Sequence, residues 1–130
     1  MEQIQLGAKG RYEMAVNRMV SAAAVKDGLL EVFGTPFLVM MMENASIEAL
    51  SPFLEEGEGS VGTRIDVTHS AATPLGMKVW AVAEIAAING KMITLKVDAW
   101  DEKGPIGSAI HERAIIRPGA FFERVKKKAE

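Results

Sequence analysis

Cysteine is absent from the 130 residues, which excludes disulfide frameworks, zinc fingers, thiolate nucleophiles and thiolate-held iron–sulfur clusters together. Charge of one sign is lacking too. Fifteen Lys and Arg stand against 17 Asp and Glu, a net charge of −2, so no global field gathers nucleic acid or an anionic membrane. The longest strictly apolar run, Phe37 to Met42, is far short of the about 20 residues that span a bilayer. The opening MEQIQLGAKGRYE has neither the basic start nor the apolar stretch of a secretion signal, and a cytoplasmic location is expected. Asp27, Asp66, Asp98 and Asp101 show no metal-ligand spacing, and neither a glycine-rich phosphate loop nor a nucleophile-elbow serine occurs. No metal and no cofactor is expected.

What is present is an ordinary globular composition, 48% apolar and 25% charged, in a length that suits one domain over residues 1–130. Tyr12, Met14 and Val16 alternate with Arg11, Glu13 and Ala15, a strand pattern. Ser21 to Phe33 reads as a short helical turn and an apolar loop, broken at Asp27-Gly28. Gly34-Thr35-Pro36 opens a helix, with Thr35 as the expected cap and Pro36 preorganised for the first turn. The helix runs to Leu50, where Ser51-Pro52 ends it. Its first turns are apolar on nearly every side, which predicts a surrounded helix with a solvent stripe at Asn44 and Glu48.

Four strands follow without helices between them, over Ser60 to His69, Met77 to Ile88, Lys91 to Trp100 and Ile106 to Ile116. Asn89-Gly90 is a hairpin signal. In the third of these, Ile93, Leu95, Val97 and Ala99 share one face and Met92, Thr94, Lys96 and Asp98 the other, as for a sheet buried on one side. The class is α+β: an antiparallel sheet of about five strands wrapped around one long central helix. Strand edges and part of the apolar face stay uncovered in that arrangement, and a homodimer is expected.

Glu43 projects from a mostly apolar helix face, with Val39, Met40, Ser46 and Ile47 around it. A carboxylate there carries a desolvation cost unless paired, which makes it a candidate for catalysis. His69 ends a row read as Val61, Thr63, Ile65 and Val67, and its near-neutral pKa suits proton transfer. His111 reads as structural. Thr35, besides capping, offers a hydroxyl at a helix N-terminus, where backbone dipoles favour negative charge.

The segments Val32-Phe33-Gly34-Thr35-Pro36, Met42-Glu43-Asn44-Ala45-Ser46, Gly59-Ser60-Val61-Gly62-Thr63, Val67-Thr68-His69-Ser70-Ala71-Ala72-Thr73-Pro74 and Ile110-His111-Glu112-Arg113 resemble the hotdog-fold thioesterases of the fluoroacetyl-CoA thioesterase family. The resemblance implies a hotdog fold and hydrolysis of an acyl-CoA thioester. It also implies a catalytic threonine, glutamate and histidine at Thr35, Glu43 and His69, and substrate contacts from Gly62 and Arg113. In that family the pantetheine arm enters between protomers of a homodimer, which could pair further into a tetramer. Glu43 would act as base or nucleophile and His69 would assist the leaving thiolate, with the Gly62 amide as oxyanion donor. Arg113, Arg64 and Lys78 could meet coenzyme A phosphates, each read individually as solvated surface charge first. The fluoroacetyl-selective members carry an aromatic lid upstream of the threonine, whereas Lys26-Asp27-Gly28-Leu29-Leu30 has no aromatic, so a small or medium acyl-CoA is expected. The same fold also hosts non-catalytic acyl-CoA-binding proteins and hydratases, which stand as alternatives.

Overall fold

A computed structural model describes residues 3–25 and 30–130; the segment 26–29, on which the expectation about an aromatic lid falls, lies outside the described residues. Strand β1 is Lys9–Ala15, helix α1 is Thr35–Leu50, and strands β2 to β5 are Gly59–His69, Lys78–Asn89, Met92–Asp101 and Gly104–Ile116. Helix α2, Pro118–Lys126, ends the chain with a short 3-10 turn. The strands form one antiparallel sheet in the order β1-β3-β4-β5-β2, which leaves β1 and β2 as its edges.

The alternation in β4 resolves as expected. Ile93, Leu95, Val97 and Ala99 are fully buried, and with Val79, Ala81, Ala83 and Ile85 of β3 they form the floor on which α1 lies. Leu38, Met41, Met42, Ala45, Ala49 and Leu50 are the helix's contribution to that core. On the opposite face Trp80 and Trp100 stack with centroids 6.5 Å apart, with the Arg11 guanidinium over Trp80. Asp101 closes the β4–β5 turn. Its buried carboxylate accepts from the Thr73 hydroxyl at 2.7 Å and from the amides of Lys103 and Gly104 at 2.8 and 3.2 Å. Burial alone would raise that carboxyl, but these donors and the Lys103 charge outweigh it and hold the group below its ordinary value.

Four local expectations need correction. The cap of α1 is Gly34, in extended conformation and without a side-chain cap bond, so Thr35 is the first helical residue and its hydroxyl is free for other work. The β3–β4 turn tip is Gly90-Lys91, since Asn89 pairs with Met92; the hairpin is present but its turn lies one residue downstream. The solvent stripe of α1 differs from the expected Asn44 and Glu48: Glu48 is exposed with Met40 and Ile47, whereas Asn44 is half-buried. A sheet of one chain wraps only one side of the helix.

The fourth correction matters most for the site. Between Gly62 and Arg64 the register of β2 against β5 shifts by a bulge, with Gly62 opposite Arg113 and Arg64 opposite Glu112. Thr63 is the extra residue, and a bulge exchanges the two faces of a strand. Ser60 and Gly62 therefore share the helix-facing side with Ile65, Val67 and His69, while Val61 and Thr63 do not belong to that row.

Close approach of β1 to α1 depends on Gly10. A Cβ at that position would overlap the backbone of Ala49 and Ala45 and lie 2.7 Å from the Glu48 carbonyl carbon, all of it helix backbone that cannot rotate away. Gly10→Ala should destabilise by about 1–3 kcal/mol, the usual cost of overpacking, read from urea unfolding midpoints. A variant as stable as the parent would show that β1 can ride outwards from the helix at no cost.

Candidate active site

The candidate side chains fall into two groups along α1. At its N-terminus the Thr35 hydroxyl is 2.8 Å from His69 Nδ1, a contact made because the last residue of β2 ends beside the first residue of the helix. The Phe33 ring packs nearly perpendicular to the imidazole, with 6.5 Å between centroids. These residues line an open cavity of about 280 Å³ with Ala22, Gly34 and Ala71. His69 Nε2 is buried and, among the described residues, has no hydrogen-bond partner.

Burial lowers the His69 pKa below its ordinary 6.5, outweighing the Ala71 backbone, which acts the other way. The ring is therefore neutral at pH 7, and Thr35 decides what Nε2 can do. When the hydroxyl donates to Nδ1, Nε2 carries the proton and can donate it. When Nδ1–H donates to the hydroxyl, Nε2 is a bare lone pair and a base.

Eight residues further along α1, about 12 Å at the usual rise, is Glu43. Its Oε2 accepts from Arg113 Nη1 at 3.3 Å. The pair is asymmetric: Arg113 is 4% exposed and Glu43 39%. Arg113 Nε donates to the Ser60 hydroxyl at 2.9 Å, Nη2 to the Ser60 carbonyl at 3.0 Å, and Nη1 also to His111 Nε2 at 3.1 Å. Gly62 is the floor of this group, since a Cβ there would come within 2.6 Å of Glu43 Oε2 and 3.2 Å of His111 Cε1. The carboxylate occupies the space that a side chain would fill.

Of the five expected residues, the chain thus joins Thr35 to His69, and Glu43 to Gly62 and Arg113, but does not join the two groups. Reading Arg113 as solvated surface charge is overturned by its burial. Arg64 is bound at 3.0 Å to Glu112, and Lys78 begins β3, three strands from β2 in the sheet. Sequence reasoning passed over Ser60 and treated His111 as structural. The available signal was the period of two that puts His111 and Arg113 on one strand face. No group of three or more His, Asp or Glu suited to a metal ion occurs among the described residues.

An antiparallel five-stranded sheet wrapped on one long helix is the hotdog architecture of thioesterase structures. Residues 16–118 match the family described as fluoroacetyl-CoA-specific thioesterase, and the chain belongs to that family. The fluoroacetyl-CoA thioesterase of Streptantibioticus cattleyicolor is 47% identical over 98 residues, which are 75% of this chain and 70% of that protein. The crystal structure of a point variant of the fluoroacetyl-CoA-specific thioesterase FlK superposes with a TM-score of 0.91 at 36% identity, covering 98% of this chain and 99% of the other. A Thermus thermophilus hypothetical protein of the thioesterase superfamily gives 0.87 at 31% identity over the full length of both.

Both histidines titrate below their ordinary 6.5, chiefly through burial. The native chain therefore binds fewer protons than the unfolded one in this range. Their contribution to stability is complete above pH 6.5 and is lost as pH falls from there through the lowered native values. The melting temperature should drop on acidification toward about pH 5, and His111→Gln should flatten part of that drop. An equally steep drop in His111→Gln would remove His111 as a contributor.

Proposed function

We propose that this chain hydrolyses a small or medium acyl-CoA thioester to the free acid and coenzyme A, with residues 1–130 acting as one hotdog domain. The observation that carries the reading is Glu43, a half-exposed carboxylate fixed by a buried cation over a glycine. As a general base it takes a proton from water while the oxygen adds to the thioester carbonyl carbon; the C–S bond then breaks, the leaving thiolate accepts a hydrogen bond from the neutral His69 Nε2–H, and the proton held by Glu43 passes to it through water. As a nucleophile it forms an acyl anhydride and expels the thiolate, and water then cleaves the anhydride. In either course Thr35 holds the tautomer of His69. Arg113 lies behind the carboxylate, away from solvent, as its fixed counter-charge, and Gly62 leaves the space that Oε2 occupies and offers its amide to the substrate carbonyl. Cytoplasmic residence follows from the substrate, a coenzyme A thioester.

The assembly in this reading is a homodimer. Edge strand β2 carries unpaired backbone groups, and Met40 and Ile47 lie exposed on either side of Glu43 along α1. The separation of about 12 Å between Thr35 and Glu43 adds a stronger reason, because one thioester carbonyl cannot touch both. A second copy laid across α1 supplies Glu43 to the first copy's Thr35 and His69, and the reverse.

Purified protein incubated with acyl-CoAs and a thiol-reactive dye tests the activity. Thiol release is expected, and Glu43→Gln should lower turnover of the folded protein by ~10²–10⁴-fold. Its melting temperature should also fall, since Arg113 loses its counter-ion, though by less than a fully buried pair would cost. Binding without thiol release, or enoyl-CoA hydration, would replace the reading with one of its two rivals.

Mixing two inactive variants tests the shared site. Glu43→Gln and His69→Ala chains, co-refolded, should regain about one quarter of the parent rate, since half of the dimers are mixed and one of their two sites is intact. No regain from verified mixed dimers would put the whole site in one chain.

A further inference from the structure

His111 is buried on β5, and the mechanism above gives it no task. Its surroundings nonetheless determine its chemical state. Nδ1 is 2.8 Å from the carbonyl oxygen of Arg64 on β2, which can only accept, so Nδ1 must carry a proton. Nε2 is 3.1 Å from Arg113 Nη1, which can only donate, so Nε2 must offer a lone pair. Only the neutral Nδ1–H tautomer satisfies both.

The remaining partners of Arg113 explain what that lone pair is for. Ser60 takes Nε–H and one Nη2–H through its hydroxyl and carbonyl, which pins one side of the planar fork. Nη1 has two protons; one goes to His111 and the other to Glu43 Oε2. Without an acceptor at His111, only Ser60 and Glu43 restrain the planar fork, which can then tilt as a unit toward the carboxylate or away from it. Rotation about the terminal bonds of a guanidinium is restricted, so a bond on one Nη1 proton aims the other.

We propose that His111 is a positioning residue, a fixed hydrogen-bond acceptor that, with Ser60, aims the second Nη1 proton of Arg113 at Glu43 Oε2 and leaves Oε1 for the reaction. This rests on the reading of Glu43 as the reacting carboxylate. The groups that bear on the imidazole are Glu43 from α1, Arg113 and Glu112 from β5, and the Arg64 carbonyl from β2.

Two near-isosteric variants separate the two bonds of the ring. His111→Asn keeps a donor for the Arg64 carbonyl and loses the acceptor for Arg113; His111→Gln keeps an acceptor at the distal position and loses the near donor. Acetyl-CoA and butyryl-CoA hydrolysis is measured on the full-length folded protein. His111→Gln should retain most of kcat. His111→Asn should lose about 10-fold to 10²-fold in kcat with KM little changed, the scale of a misaimed catalytic group. In an Arg113→Lys background the difference between the two should vanish. Equal losses in both variants, or none in either, would overturn the proposal. An independent readout needs no turnover: ¹⁵N spectra of the imidazole should show the neutral Nδ1–H tautomer in the parent, and an Nε2–H tautomer would overturn it directly. Full turnover in Glu43→Gln would instead end the reading of Glu43 while the tautomer result stood.

Discussion

A guanidinium at 4% exposure cannot be left without partners, because an uncompensated buried charge costs several kcal/mol. Much of the site's geometry follows from satisfying Arg113. Ser60 must point inwards to reach it, Gly62 must lack a side chain so that Glu43 can approach, and His111 must present a lone pair rather than a proton. Each of these residues is brought to Arg113 by the β2–β5 ladder, so the sheet register is a condition of the electrostatics. The bulge at Thr63 satisfies that condition. Without it, β2 would turn either Gly62 or His69 away from the helix, and no unbulged strand could present both.

The helix imposes the complementary constraint. α1 carries Thr35 at one end and Glu43 two turns along, and a straight helix keeps them about 12 Å apart. The sheet buries one side of α1 with Leu38, Met41, Met42, Ala45 and Ala49, and the opposite side holds Met40, Glu43 and Ile47. The fold therefore displays the Glu43 carboxylate on the face that a single chain leaves uncovered. In the proposed function, chemistry and assembly share that surface.

Much of this was legible in the sequence. Helix α1 was bounded correctly because Gly-Thr-Pro and Ser-Pro punctuate it and because glycine and proline are absent between them. Strands β3 to β5 were found through their period of two, which a one-sided sheet enforces. Glu43 and His69 stood out as polar intrusions in apolar rows. The bulge was not legible, since one extra residue leaves no mark in an alternation that resumes two positions later. Its omission placed Gly62 on the wrong face and hid Ser60. Capping by Gly34 rather than Thr35 was missed for a related reason: either residue suits an N-cap, and the choice was made by His69, 34 residues away in the chain. His111 was read as structural because burial of a histidine says nothing of its partners until the register brings Arg113 and the Arg64 carbonyl to its two nitrogens.

The unequal depth of the Glu43–Arg113 pair connects these points. A pair buried equally would be inert, its carboxylate sealed from substrate; a pair exposed equally would be screened by water and worth little. Here the cation is sealed in and the anion reaches the surface, so water weakens the attraction only on the side from which a substrate arrives. Covering the Met40 and Ile47 stripe with apolar surface removes that water and lowers the local dielectric. In the proposed function the attraction to Arg113 then strengthens as the carboxylate meets its reaction partner. A rigid counter-charge suits this change in environment better than a mobile one, because it holds Oε2 in one direction while the surroundings of Oε1 change. Its rigidity comes from Ser60 and His111, both committed by the ladder before any substrate binds.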